Sequence, residues 1–162
     1  MKSIFFSCFI ILGFSSCSKD GTAVYEPVPY ELDIPEFFEQ NVLSPIIPLN
    51  NPQTKEGVSL GKKLFFDPQL SVDSSISCAD CHAPENSFSD KDRFSDGVNG
   101  TFGNRNSMPL FNLAWNFDER FFWDGSAFSL EDQISHPITD TEEMSNSWDN
   151  VVATLEANPQ YP

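Results

Sequence analysis

Ser77-Cys78-Ala79-Asp80-Cys81-His82 is the stretch on which the reading of this 162-residue chain turns. Two thiols three positions apart, followed at once by an imidazole, spell Cys-x-x-Cys-His. Thiols at this spacing can form thioethers to two vinyl groups on one edge of a macrocycle, and the next residue can fold beneath the ring as an axial iron ligand. The other cysteines narrow the choice. Cys8 and Cys17 fall in and at the end of an apolar leader, so no disulfide framework is possible beyond a bond between Cys78 and Cys81. A zinc knuckle needs two further Cys or His at similar spacing, and His136 is the only other histidine. A thioredoxin-like pair needs a βαβ context, which the flanking sequence lacks. The residues therefore read as a site for covalently bound haem c, with Cys78 and Cys81 attaching the ring and His82 ligating the iron.

Outward from this site, Ser71 to Met108 is rich in Ser, Asp, Asn and Gly and reads as a long loop. Gly97, Gly100 and Gly103 follow no strand and precede no Lys-Ser/Thr, so they form no phosphate cradle. Upstream, Glu56 to Phe66 carries Val58, Leu60, Leu64 and Phe65 near the helical period and is stopped by Pro68. Ile34 to Pro52 is broken by prolines and reads as an extended surface strap. Downstream, Ser129 caps a short helix carrying Gln133 and Ile134, and Asp140 to Met144 reads as another helical turn. Ser147 caps a last helix through Val151, Val152 and Leu155. No segment shows the sustained alternation of a sheet, so the fold class is all-α with long irregular loops. Sixteen Phe suit a domain that wraps a large flat apolar ligand as well as packing on itself.

The amino terminus reads as an export signal over residues 1–16. Lys2 precedes the apolar run Ile4 to Phe14, which is too short to span a bilayer as a mature helix. Phe14-Ser15-Ser16-Cys17 resembles a lipoprotein box, although Phe14 stands where an aliphatic residue is usual. It implies a lipid anchor at Cys17, with ordinary cleavage nearby as the alternative. Residues 17–35 form an acidic, Pro-containing linker, and 36–162 form the domain. Cleavage after Ser16 removes Lys2 and no acid, taking the net charge from −15 to −16. Such a field repels nucleic acid and steers a small basic electron carrier toward the chain; the plainer alternative is that it serves solubility. The expected location is the periplasm of a Gram-negative-type bacterium.

From Asn51 to Pro162 the sequence resembles the bacterial di-haem cytochrome c peroxidases, a group that includes related cofactor-maturing di-haem enzymes. The resemblance rests on Leu60-Gly61-Lys62-Lys63-Leu64-Phe65-Phe66-Asp67, the haem motif, Gly103-Asn104-Arg105-Asn106-Ser107, and Phe122-Trp123-Asp124-Gly125. Leu130-Glu131-Asp132-Gln133, His136-Pro137-Ile138 and Glu142-Glu143-Met144 follow in family order. It implies a cytochrome c-like haem domain that reduces hydrogen peroxide to water with electrons from a small cytochrome c or cupredoxin. It implies catalytic roles for three residues: Glu143 as acid–base group, Gln133 orienting peroxide, and Trp123 relaying electrons between haems. It also implies a calcium ion near Asn106. Viewed alone, Glu143 could be a helix-start carboxylate, Gln133 a solvated position and Trp123 a core residue.

Two departures qualify the resemblance. The peroxidases proper carry a His in the loop after the haem motif that can occupy the sixth iron position; Ala83 to Arg105 contains none. An iron open in its resting oxidised state is the expectation, with a structural hydrogen bond for His136. Relatives also continue into a second domain with its own haem c, where this sequence stops, so a truncated product or fragment is expected. A mono-haem electron carrier is the alternative, with Met108, His136 or Met144 as second axial ligand. Oxidation of a protein or organic substrate by the same haem chemistry is the third.

Overall fold

The computed structural model describes residues 26–161, so the signal-like leader and the lipid-anchor candidate Cys17 lie outside the described residues. Among the described residues the regular elements are helices and short 3-10 turns. Extended segments meet only at isolated antiparallel bridges, so the all-α expectation holds.

The strap expected over Ile34 to Pro52 contains a short helix, α1 (Glu36–Asn41). Pro35 stands immediately before it, where a fixed φ suits entry into a helix, and the next proline is Pro45. The chain before α1 lies along the domain: Tyr30 N–H donates to the Gln53 carbonyl (3.0 Å) and Lys55 N–H to that of Val28 (2.8 Å). After α1, Ile46 N–H donates to the Ala114 carbonyl (2.7 Å) and the Trp115 indole N–H to that of Leu43 (3.0 Å).

Helix α2 (Lys55–Phe65) starts at Thr54, whose hydroxyl accepts from Gly57 N–H (3.0 Å). Val58 and Leu60 stay exposed, and Leu64 is the residue of this helix that reaches the core. Asp67 ends the run by accepting from Gln69 N–H (2.9 Å), with Pro68 opening a 3-10 turn. The Tyr161 hydroxyl donates to the Asp67 carboxylate, and Lys63 Nζ lies 3.8 Å from the centre of the Tyr161 ring. These contacts pin residue 161 to the end of α2.

The haem motif forms a single turn, α3 (Cys78–Cys81). Helix α4 (Leu130–Thr139) begins at Ser129, and α5 (Trp148–Ala157) at Ser147, whose hydroxyl accepts from Asn150 N–H (3.3 Å). Both starts match the expected caps. Asp140 to Met144, expected as another helical turn, is a hydrogen-bonded turn that does not run on as helix: Glu143 N–H donates to the Asp140 carbonyl (3.2 Å). Asp140 Oδ1 accepts from Glu142 N–H (2.8 Å), and Ser145 closes the turn at φ 51°. That side-chain bond offers the backbone an alternative to helical pairing.

The core is small: Leu70, Ile138, Met144 and Val151, flanked by Leu64, Ile76 and Leu155. Asn146, buried beside it, donates to the Leu70 carbonyl (2.8 Å) and accepts from Ser147 N–H and Asn150 Nδ2 (both 2.8 Å). Because every polar atom of this amide is paired, its burial carries no unsatisfied penalty. Ser147→Ala removes the cap of the helix that brings Val151 into this core. It is expected to cost about 1 kcal/mol, read as a lowered urea midpoint; an unchanged midpoint would show that the cap contributes nothing.

Candidate functional site

A cleft of about 360 Å³ opens between α4, the loop 103–110 and the segment 120–126, with His82 on its wall. The volume lies within the ordinary range for small-molecule and cofactor sites.

The Cys78–His82 turn is held by its neighbours. The Asp80 carboxylate accepts from both Ser77 N–H and the Ser77 hydroxyl (each 2.7 Å), a capping arrangement built from the motif's own variable position. His82 N–H bonds back to the Cys78 carbonyl (2.9 Å). Both thiols are free and half-buried. Burial raises the Cys78 thiol pKa, and burial again, against a hydrogen bond from Ser95, pushes Cys81 up to about 11.

His82 Nδ1 lies 3.1 Å from the Phe88 carbonyl. Ser87 and Phe88 both sit in the left-handed region (φ 59° and 57°), folding the chain back so that this carbonyl reaches the ring. With the proton held at Nδ1, the lone pair belongs to Nε2, the tautomer required of a metal ligand. Burial lowers the His82 pKa and favours that neutral form.

The residues present fit a c-type haem. Two unbridged thiols flank one helical turn, a histidine has its second nitrogen fixed, and Met108, Leu110, Leu113, Phe121, Leu130 and Pro137 give the cleft apolar walls.

Gln133, His136 and Glu143 line the same cleft, as does Trp123. Gln133 is half-buried on α4. Glu143 stands in the tight turn after α4 and meets solvent through the cleft mouth, so it is not the enclosed carboxyl that the acid–base role first suggests. Protein packed around it still strips part of its hydration. That desolvation, with the neighbouring charges of Asp140 and Glu142, raises its pKa above the ordinary carboxylate value, while His136 opposes the shift. His136 Nε2 is 3.6 Å from Asp132 Oδ1, ion-pair range rather than the expected hydrogen bond, and its ring meets the edge of Phe122 at 5.2 Å.

Trp123 is 59% exposed, so it is no core residue. Buried Phe121 and Ala127 exchange backbone hydrogen bonds (3.0 and 3.4 Å). The turn between them passes through Phe122 (φ 65°) and Gly125 (φ 68°) and carries Trp123 on its tip. The indole N–H donates to the Asn106 carbonyl (2.8 Å), and Arg105 and Asp124 pair alongside at 3.4 Å. Asn106 in turn donates through Nδ2 to the carbonyls of Asp92 (2.7 Å) and Asp90 (3.3 Å). No group of three or more His, Cys, Asp or Glu gathers into a metal site among the described residues.

Sequence reasoning missed three supports: Asp80 as the brace of the motif, Phe88 as the partner of His82, and the Asn106 carbonyl as the partner of Trp123. Ser-x-x-Asp around the cysteines was a readable signal for the first. A backbone carbonyl leaves no trace in side-chain pattern, so the other two were invisible.

The fold is that of an all-α, cytochrome c-like domain. The profile described as di-haem cytochrome c peroxidase matches residues 55–162, and the chain belongs to that family. It is 47% identical over 114 residues to the methylamine utilization protein MauG of Methylorubrum extorquens, covering 70% of this chain and 32% of that protein. It is 44% identical over 115 residues to the cytochrome c peroxidase Ccp of Escherichia coli, covering 70% and 24%. A solved MauG-like protein associated with microbial copper homeostasis superposes with a TM-score of 0.71 at 29% identity, covering 82% of this chain and 38% of that one. The chain thus spans about a quarter to a third of the length of these curated relatives.

Proposed function

We propose that this domain holds a haem c through Cys78 and Cys81 with His82 as axial ligand, and that it reduces hydrogen peroxide to water. The observation that carries the reading is the convergence of His82, Gln133 and Glu143 on one cleft. A bound haem supplies an iron that binds peroxide and delivers electrons to it. The protein supplies proton handling. Cleaving the O–O bond so that water leaves requires a proton moved from the bound oxygen to the departing one. Glu143, with its raised pKa, is suited to take it and return it. The Gln133 amide donates a hydrogen bond that orients peroxide. Trp123, fixed through its indole N–H, is the electron relay.

The wider assignments rest on family membership and charge. The electron donor is a small cytochrome c or cupredoxin in the periplasm, and the net charge of −15 favours a basic one. A second haem c, in a protein that carries a further domain to hold it, would be the electron-entry group. For the implied calcium, Asn106 Oδ1 offers a carbonyl oxygen that the Ser89 hydroxyl approaches at 3.5 Å. A lipid anchor at Cys17 would tie the domain to the membrane.

Met144 is buried in the core, which removes it as an axial ligand. Met108 and His136 line the cleft, and they support the second reading, an electron carrier with a six-coordinate iron. Spectra of the haem-loaded ferric protein separate the two. High-spin absorption and electron paramagnetic resonance features, and a prompt Soret change on mixing with peroxide, are expected. A purely low-spin ferric signal with no reaction would assign the domain to electron transfer.

A further inference from the structure

We infer that the hairpin 95–103, which no catalytic role includes, positions Glu143: Gly97, Val98 and Thr101 dock its tip on the Glu142–Glu143 backbone. The inference deepens the peroxidase reading and rests on Glu143 being its acid–base group.

The hairpin is built for a fixed shape. Asp96 and Phe102 form an antiparallel bridge, Gly97 N–H donates to the Thr101 carbonyl (2.9 Å) and Gly103 N–H to that of Ser95 (3.0 Å). Asn99 and Gly100, both left-handed (φ 59° and 73°), turn the tip. Three consecutive residues then connect the haem-attachment turn to the Glu142–Glu143 backbone. The Asp96 carbonyl oxygen lies 3.8 Å from Cys81 Sγ. Gly97 lies against the Glu142 backbone. Val98, 1% exposed, donates its N–H to the Glu143 carbonyl (2.9 Å). The Thr101 hydroxyl closes the contact by reaching the carbonyls of Val98 (2.8 Å) and Glu142 (3.1 Å).

Gly97 is required by space rather than by its backbone angles. A Cβ there would lie 1.9 Å from the Glu142 carbonyl oxygen, where real contacts stay beyond 3.0 Å. Thr101 Oγ1, 2.4 Å from the added carbon, can rotate aside, but the Glu142 carbonyl oxygen and carbon (2.8 Å) are backbone, so the Glu142–Glu143 turn must retreat by about 1 Å. The hairpin therefore sets where the carboxylate stands relative to the attached edge of the haem. Gly97, Val98 and Thr101 are positioning residues and touch no reacting atom.

The test uses the haem-loaded full chain and two readouts. One is the second-order rate constant for the peroxide-induced Soret change. The other is fluoride affinity for the ferric iron, which reports a hydrogen bond from a protonated carboxyl near the ligand site. Gly97→Ala should slow the peroxide step by up to about 100-fold and weaken fluoride about tenfold. Thr101→Val, which keeps volume and loses the hydroxyl, should move both readouts the same way by less. Gly61→Ala, with nothing within 4 Å of the added carbon, should move neither. In a Glu143→Ala background, Gly97→Ala should add no further loss of fluoride affinity.

An additional loss there would make the hairpin a general support of the cleft and overturn the inference. So would wild-type values for both hairpin variants when Glu143→Ala is impaired. Should Gly97→Ala fail to fold, Thr101→Val alone decides. If Glu143→Ala itself behaves as wild type, the acid–base assignment falls, and the positioning role falls with it.

Discussion

Cys78→Ala combined with Cys81→Ala is expected to abolish covalent haem. The wild-type polypeptide should stay coloured after denaturation and stain for haem on a denaturing gel; the double variant should lose all of that signal, and each single variant should retain one thioether. The reason is positional. Both thiols belong to one turn whose start is clamped by Asp80 on Ser77, and His82 extends from the same turn with Nδ1 held by Phe88. Thiols with raised pKa values are almost wholly protonated near neutrality, which slows oxidation of the pair to a disulfide before attachment. Stability should fall as well. The core cluster of Leu70, Ile138, Met144 and Val151 is thin for so aromatic a chain, and Phe121 is the one Phe buried among the described residues. The tethered haem stays on the unfolded chain, but only the native fold packs against its apolar faces and ligates its iron. Those contacts favour the native state, and the tether keeps the group at high local concentration. Colour that survives denaturation in the double variant would remove the foundation of the whole reading.

How much of this was legible in the sequence divides along a physical line. Ser129 and Ser147 were readable as caps because capping is local: a short polar side chain meets a backbone N–H three residues on. The haem motif was readable because thioether chemistry fixes its spacing. The short helix after Pro35 was hidden by the density of prolines around it, although a proline just before a helix is compatible with one. A turn at Asp140 to Met144 was legible, but not its isolation from regular helix, because the Asp140 side chain competes for Glu142 N–H, a choice that helix-like composition does not reveal. Amphipathic spacing also overstated α2, where Val58 and Leu60 face solvent. The hairpin 95–103 was harder still. Its glycines were visible, and the lack of a preceding strand and a following Lys-Ser/Thr excluded a phosphate loop, yet the need for Gly97 comes from a backbone more than forty residues away. Such long-range steric demands leave only a small residue behind as their mark. The candidate site was therefore legible as a set of side chains, and its supporting carbonyls were not.

Glu143→Gln should slow the peroxide step by about 10²- to 10⁴-fold, the span over which a positioned acid–base group contributes. The amide keeps the size and a hydrogen-bond donor but cannot accept a proton and return it, so haem content and the ferric spectrum should stay unchanged. A rate within a few-fold of wild type would move the proton-transfer role elsewhere. The same substitution makes an independent statement about stability. Desolvation, with Asp140 and Glu142 nearby, raises the folded-state pKa of Glu143 above its unfolded value near 4.5. Below that value both states hold the proton and the shift costs nothing. As pH rises from 4.5 toward the folded pKa, the unfolded chain releases its proton while the native carboxyl keeps it, so stability falls; above the folded pKa the full cost persists. Gln carries no charge at any of these pH values. Thermal midpoints of wild type and Glu143→Gln should therefore converge in acid and separate above pH 4.5, with the variant the more stable. The carboxylate is open to solvent at the cleft mouth, which keeps the gap modest, but its sign is fixed by the direction of the shift. A variant that is slower with peroxide yet more stable at neutral pH is the signature of a group retained for its chemistry at the expense of the fold.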